Sequence, residues 1–273
     1  MKFLSTLPAI SMIIGISLPG ISLPMMGADI RGNQTAPKVV VFAGDNVIPQ
    51  VVDGAGWKTT FKFVNLENHS VSFTLQFIQD NGLDMALPFL GNGILTAGTY
   101  TSITFTLLTA QSATVETAGR SGSLTQGWAL MQRNTSTDSI GGLAVFRQRI
   151  PGLPDQEATV PIVNQFSGHF VLLFDNTIFV TGIAIANPTN NPVSIPVYIR
   201  DESGTIIDQR FIALGPYAHT AFSVPTAWPA TAGTAGAIEF LTSGYGVGAL
   251  GLRFNGSAFT SFNVLENINW VAP

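Results

Sequence analysis

The stretch VVDGAGWKTTFKFVNLENHSVSFTLQFIQDNG at residues 51–82 recurs without a gap as LFDNTIFVTGIAIANPTNNPVSIPVYIRDESG at residues 173–204, 122 positions further along. The identities include Asp53 with Asp175 and Asn65 with Asn187. Apolar residues also coincide at alternate positions of the two stretches. The repeat therefore preserves an alternation as well as individual residues, and it decides how the rest of the chain is interpreted.

Later segments recur in the same order. A shift of 117 aligns Tyr100 with Tyr217, and a shift of 106 aligns Arg147 with Arg253. The smaller shifts are expected if the first copy has a longer loop, because insertions belong in loops. A repeat of over a hundred residues has the size of a domain, so we interpret it as a duplication that produced tandem domains.

Each copy contains short runs in which apolar and polar residues alternate, such as Val71 to Phe77, bounded by Gly, Asn, Pro and Asp. This period of two is typical of half-buried strands. Asp80-Asn81-Gly82 and the stretch from Asp201 to Gly204 have hairpin-turn composition. Each copy has about seven or eight such strands, which predicts an all-β chain of two tandem immunoglobulin-like antiparallel β-sandwich domains. A jelly roll or one larger barrel spanning both copies remains an alternative.

The first 28 residues predict an N-terminal signal peptide, because Lys2 precedes a long apolar stretch that ends near Gly27-Ala28. A transmembrane anchor is the alternative, but prolines and glycines interrupt the stretch. We therefore predict a signal peptide at 1–28, a linker at 29–37, domain 1 at 38–150, a linker at 151–158 and domain 2 at 159–273. The mature protein would be secreted, periplasmic or on the cell surface, without a membrane span.

The composition excludes several classes of function. Charged residues make up 10% of the chain, against about 25% in an average domain, which suits a polar extracellular surface. A net charge of -4 without a basic cluster gives nucleic acid no electrostatic footprint. The absence of cysteine excludes disulfides and thiolate chemistry. An exported bacterial protein fits this composition.

The phrases VVDGAGWKTTFKFVN, FDNTIFVTGIAIANPTNNPVSIPVYIRDESGTII and GALGLRFNGSAFTS resemble an uncharacterised group of exported bacterial proteins with paired β-domains. The resemblance covers most of residues 45–264. It implies the compartment and the architecture, and it brings no known activity, cofactor or site residue.

Two pairs of charged residues are candidates for function. Asp53 and Asp175 are weak candidate Ca²⁺ ligands, since a loop carboxylate suits that ion, but the dense oxygen ligands of a calcium loop are missing. Turn capping is the simpler interpretation. Arg147 and Arg253 could bind an anionic ligand, although each would equally face solvent or pair with a nearby acid.

Aromatic residues are the other candidates. Trp57 and Trp228, together with Trp128 and Trp270, could form a stacking platform for sugars, although core packing is the commoner place for a large aromatic. We keep Trp57 and Trp228 as candidate ligand-binding residues beside the two arginines.

Catalytic patterns are absent from the sequence. It has no GxSxG elbow, phosphate loop or HExxH motif. The close acids Asp80 with Asp84 and Asp201 with Glu202 lie at predicted turns, which argues against a glycosidase pair. We therefore predict a non-catalytic exported protein with a structural, adhesive or protein-interaction role and an extracellular protein as partner. The alternative is a glycan-binding module, and a secreted hydrolase is the weakest alternative.

Overall fold

The computed structural model describes residues 46–163, 168–242 and 246–267. Within them the chain is all-β, with antiparallel pairing in every sheet. The predicted signal peptide and first linker lie outside the described residues. None of the described helices is long and apolar enough to cross a membrane.

The first half contains β1 (Asn46–Asp53), β2 (Trp57–Asn65), β3 (Val71–Gln79), β4 (Leu87–Phe89), β5 (Gly98–Tyr100), β6 (Ser102–Leu107), β7 (Ser112–Glu116), β8 (Thr125–Arg133), β9 (Ile140–Gln148) and β10 (Gln156–Pro161). The second half contains β11 (His169–Asp175), β12 (Val180–Ala186), β13 (Val193–Asp201), β14 (Ile206–Leu214), β15 (His219–Ser223), α1 (Val224–Ala227), a 3₁₀ turn (Pro229–Thr231), β16 (Ala235–Leu241), β17 (Gly248–Asn255), β18 (Ala258–Phe262) and β19 (Leu265–Asn267).

These strands form four larger sheets and the small hairpin β4-β5. Sheet I has the order β1-β8-β3-β6, and sheet II has the order β10-β9-β2-β7. Sheet III has the order β15-β12-β17-β18, and sheet IV has the order β14-β13-β16-β11-β19. Sheets I and II enclose one apolar core, which includes Phe73 and Phe61. Sheets III and IV enclose another, which includes Ile185 and Phe240.

The strand order repeats between the halves. Eight strands of the first half, β1–β3 and β6–β10, correspond in chain order to β11–β18 of the second half. Sheets I and IV each place the first, sixth, third and fourth of these eight shared strands side by side, and sheets II and III also have the same order. The immunoglobulin order would place the first strand beside the second. Here the first shared strand lies beside the sixth, so that order is not reproduced.

The strand register shows that the alignment of Arg147 with Arg253 is displaced by one residue. Thr59 lies opposite Phe146, whereas its counterpart Thr181 lies opposite Arg253. Arg253 therefore corresponds to Phe146, and Arg147 corresponds to Phe254. A shift of one residue moves a side chain to the other face of the sheet, so the two arginines point to opposite faces.

The acidic pair is offset in the same way. Thr59 Oγ1 donates a hydrogen bond to the Val52 carbonyl at 2.7 Å and accepts one from the Val52 amide at 3.1 Å. Thr181 has the same relation to the backbone of Asp175. Val52 thus corresponds to Asp175, and buried Asp53 corresponds to Asn176.

The longer loop expected in the first copy is the region that carries the β4-β5 hairpin, but the alignment of Tyr100 with Tyr217 is wrong. Tyr217 corresponds to Ala110, and the two residues have φ values of 55° and 56°. The turns agree, because the amide following each positive-φ residue donates to a carbonyl three residues back. Tyr100 lies in β5, within the additional segment of the first half, so its identity with Tyr217 does not mark equivalent positions.

The boundary between the halves also differs from the sequence expectation. The predicted linker 151–158 overlaps β10, which pairs with β9 in sheet II. The chain then crosses to sheet I, where Val163 forms a bridge with Val47. β19 pairs with β11 in the corresponding place of the second half.

The two halves are stacked by packing the outer face of sheet I on the outer face of sheet III. Val47, Trp128 and Leu130 from sheet I form a small apolar cluster with Ala186 from sheet III. β1 contacts both β12 and β17. A Cβ on Gly248 would lie 2.4 Å from Val47, so this approach requires glycine. The order of layers is therefore sheet II, sheet I, sheet III and sheet IV.

Polar contacts fix one end of this stack. His219 Nδ1 lies 2.8 Å from Asp80 Oδ1, and the His219 amide donates to the Asp80 carbonyl at 3.0 Å. Gln126 Nε2 donates to the other Asp80 oxygen at 2.9 Å. Trp128 Nε1 donates to the Tyr217 carbonyl at 2.9 Å. Together these partly buried hydrogen bonds define one relative position of the halves.

Candidate functional site

The candidate site is a groove at one end of sheet III, on the face that looks into the second core. We call it the Arg253 groove. It has a volume of about 250 Å³ and is lined by Phe179, Arg253, Asn255, Ala258, Phe259 and Thr260. The turn at Gly256, with a φ of 60°, joins β17 to β18 and brings Thr260 opposite Arg253.

Arg253 lies on the aromatic face of Phe179, with the guanidinium carbon 3.5 Å from the ring centroid. Such stacking is attractive and leaves the N–H edges of the guanidinium available to acceptors. Arg253 Nη2 is 3.5 Å from Asp175 Oδ2, and the Arg253 side chain is 44% exposed. The groove therefore offers a positive group held against an apolar ring.

Asp175 is committed mainly to its own loop. Its Oδ1 accepts hydrogen bonds from the hydroxyl and the amide of Thr177. These bonds lower the pKa of Asp175; slight burial opposes them, and the charge of Arg253 adds to the lowering. The carboxylate is thus ionised at neutral pH and forms only a long contact with Arg253.

The corresponding groove of the first half is filled by the second half. Trp57, Phe146 and Ala158 occupy the positions of Phe179, Arg253 and Thr260. Phe259, from β18, stacks on Phe146 at a centroid distance of 5.6 Å and lies 5.3 Å from Trp57. Phe259 is 8% exposed. The protein thus uses this part of the sandwich for a contact between protein surfaces.

Arg147, the other candidate arginine, lies on the outer face of sheet II. It pairs with Glu116 at 3.7 Å and with Asp155 at 3.6 Å. Partial burial opposes ionisation of Glu116, but hydrogen bonds from Thr60 and Lys58 and the charge of Arg147 keep its pKa below the usual value. Arg147 is therefore in a surface ion-pair network and does not line the Arg253 groove.

Asp53 is buried in the first half, where its Oδ1 accepts a hydrogen bond from the Gly119 amide at 2.8 Å. Asp53 and Asp175 thus occupy different structural positions, each bonded to a nearby backbone amide. Within the described parts of the chain, no group of three or more histidine or acidic side chains could hold a metal ion. Asp175 bonds within its own turn, whereas Asp53 bonds the backbone of a loop far along the chain, so turn capping describes Asp175 alone. Ca²⁺ ligation by the two residues stays a prediction.

The tryptophans are placed mainly in cores. Trp128 is fully buried between the halves, and Trp228 is buried beside Phe222 and Phe240. Trp57 is half-buried under Phe259. Trp270 lies outside the described residues. The three described tryptophans therefore do not share one exposed surface.

The remaining acids and histidines are also held locally. Asp84 accepts a hydrogen bond from Gln76 at 3.0 Å, while Asp80 binds His219 of the other half. Asp201 accepts from Ser203 in its own turn. His69 lies 3.3 Å from Asp138. Of the acids considered for a glycosidase, Asp80, Asp84 and Asp201 are thus engaged in turns or in the stack.

Sequence reasoning missed two features of the site. The proximity of Phe179 to Arg253 could be predicted only with the correct strand register. The contact of Asp80 with His219 joins two surfaces that do not correspond to each other in the two halves. The absence of a matching histidine in the first copy was the available signal for the second feature. No protein-family model, curated protein or solved structure matches this chain.

Proposed function

We propose that the chain is an exported, non-catalytic protein with a structural or adhesive role, which acts by binding protein partners at the Arg253 groove. In this proposal its halves are tandem sandwich domains that arose by duplication, and residues 1–28 are a signal peptide. The domains share with immunoglobulin domains the packing of two antiparallel sheets but have their own strand order.

One observation carries the proposal. The groove of the first half contains Phe259 of the second half, whereas the groove of the second half has Arg253 stacked on Phe179 and open to solvent. A guanidinium stacked on an aromatic ring is suited to bind a carboxylate attached to an apolar group. The ring contacts the apolar group, and the guanidinium N–H groups donate hydrogen bonds to the carboxylate. An acidic residue beside an aromatic residue in a partner protein has that chemistry.

The test is a titration of the full chain followed by NMR of the Arg253 Nε–H resonance. The probes are the dipeptides N-acetyl-Phe-Glu-amide and N-acetyl-Phe-Gln-amide. We expect saturable binding of the acidic peptide, with an affinity about tenfold above that of its neutral analogue, because a charged hydrogen bond is lost. Arg253→Gln, followed through the ring resonances of Phe179, should remove this difference.

Arg147→Gln is the matched control, because Arg147 lies outside the groove and already pairs with Glu116 and Asp155. It should leave peptide binding unchanged. Failure of both peptides to shift the Arg253 resonance would refute the proposed binding site. Saturable binding of a soluble polysaccharide that Phe179→Ala abolishes would instead support the glycan-binding alternative.

A further inference from the structure

The contact between the halves joins two different surfaces. Sheet I corresponds to sheet IV, and sheet II corresponds to sheet III. The outer face of sheet I is covered by sheet III, so the outer faces of sheets IV and II are the remaining counterparts of this contact in the described part of the chain. A contact between unlike surfaces leaves one face of each kind for a further copy, so it extends from copy to copy unless the rotation closes a ring.

We propose that the Arg253 groove of one copy binds Glu157 of a second copy, so that chains associate end to end by the contact that stacks sheet III on sheet I. This inference rests on the proposed function of the groove and names the partner. Glu157 is the counterpart of Phe259, because the strand partners Arg147 and Phe254 correspond. The stacked aromatic pair within one chain would be replaced by a Glu157–Arg253 ion pair between chains.

Other residues of the contact also have suitable counterparts. Ser261 Oγ donates to the Thr159 carbonyl between the halves, and Thr159 supplies a hydroxyl at the position of Ser261. Gly248 gives Val47 room, and Gly141 is the counterpart of Gly248 on the outer face of sheet II. A close approach of the backbones is therefore possible at both places.

The outer face of sheet IV carries exposed apolar side chains. Leu173, Phe211 and Leu265 are 56%, 70% and 53% exposed. Leu173 and Phe211 alternate with the buried core residues Leu172 and Ile212, which places them on the outer face. Apolar side chains there would lose contact with water in the stack.

The contact between copies should be weaker than the contact within one chain. The counterparts of Trp128 and Tyr217 are Ala237 and Ala110, so the indole hydrogen bond has no equivalent. Arg200 and Glu239 form an ion pair, 3.1 Å long, on the outer face of sheet IV. Association is therefore electrostatic in large part and should weaken as salt screens the charges.

The test is sedimentation equilibrium of the full chain over a range of concentrations at low salt. We expect the average mass to rise beyond that of a dimer without a plateau, and to fall when salt is added. Arg253→Glu and Glu157→Arg should each weaken association about tenfold, because like charges then meet. The double variant should restore association, which also shows that both variants fold. Arg210→Glu, at an arginine that is 45% exposed and pairs with Asp208, is the control that should leave association unchanged.

A chain that stays monomeric at all concentrations would overturn the inference, as would a closed dimer or a double variant that does not recover. The peptide titration separates this failure from failure of the proposed function. If the acidic peptide binds and the chain stays monomeric, only self-association is wrong. If neither occurs, the groove is not a binding site.

Discussion

At the residue scale, a few buried polar side chains explain why the two copies of the repeat have identical residues at particular positions. Asn65 Nδ2 donates to the carbonyls of His69, Leu107 and Leu108, at 2.7, 3.1 and 3.0 Å. Asn187 donates to the carbonyls of Asn191 and Gly215, which are two of the three corresponding places. A buried amide of this kind connects two loops, and its loss would leave several backbone carbonyls unpaired.

The sequence predicted the alternating strands, because alternation is a local pattern. It did not predict which charged residues correspond. Asp53 and Asp175 align by identity, but Thr59 bonds the backbone seven residues back and Thr181 bonds the backbone six residues back, so the turn after β1 is one residue longer than the turn after β11. A gapless alignment does not reveal one extra residue in a turn.

His169 should make the second half sensitive to acid. Burial lowers its pKa below the ordinary value of 6.5, with Glu239 opposing. The folded state thus favours the neutral ring, so stability is lost as the pH falls through the ordinary value, where the unfolded chain gains a proton first. His169→Asn should reduce the loss of unfolding free energy between pH 7.5 and pH 5.5, measured in urea.

The control for this prediction is His69→Asn, because the His69 side chain is 55% exposed. It should leave the pH dependence close to that of the unchanged chain. An equal effect of the two substitutions would show that His169 is not the source of the acid sensitivity.

At the element scale, strands differ by whether one or both faces are buried. β1, β8, β12 and β17 lie between other sheets, and all or most of their residues are buried. The small residues in β12 and β17 permit this close packing. The sequence could not show that the second face of these strands packs against the other half, because a run of apolar residues does not identify the surface that it contacts.

The turns after β3 and β13 allow the stack to be tested at one element. Gly82 and Gly204 have φ values of 83° and 85°. A Cβ on Gly82 would lie 2.3 Å from the carbonyl oxygen of Pro216 in the second half, while a Cβ on Gly204 would meet nothing within 4 Å. The two glycines thus have the same left-handed backbone conformation, and only Gly82 packs against the other half.

Gly82→Ala should therefore lower the free energy of unfolding more than Gly204→Ala. Alanine in this backbone region costs about 1–2 kcal/mol, and Gly82→Ala must also displace the loop of Pro216. We expect an excess of at least about 1 kcal/mol, measured by urea unfolding. Equal losses would mean that the turn after β3 does not contact the second half.

At the scale of the whole molecule, the two sandwiches form one stacked body with unlike ends. The aromatic group of Trp57, Phe146 and Phe259 joins them on one side, and Asp80 with His219 joins them on another. The sequence predicted two similar units. It could not predict their arrangement, because the contact depends on surface positions that differ between the copies.

Phe259→Ala should destabilise both halves. Removing a buried phenylalanine costs about 3–5 kcal/mol, and here the lost contacts belong to the core of the other half. Calorimetry should show one transition for the unchanged chain and a separation into two for the variant. Phe211→Ala, at a phenylalanine that is 70% exposed, is the control and should change the transition little.

The two halves are fixed to each other through sheets I and III. Hydrogen exchange of the Trp128 indole N–H tests this arrangement most directly, because this group donates to the Tyr217 carbonyl across the contact. We expect the indole proton to exchange as slowly as the backbone amides of β8, only on global unfolding. Fast exchange of the indole while the β8 amides stay protected would contradict it.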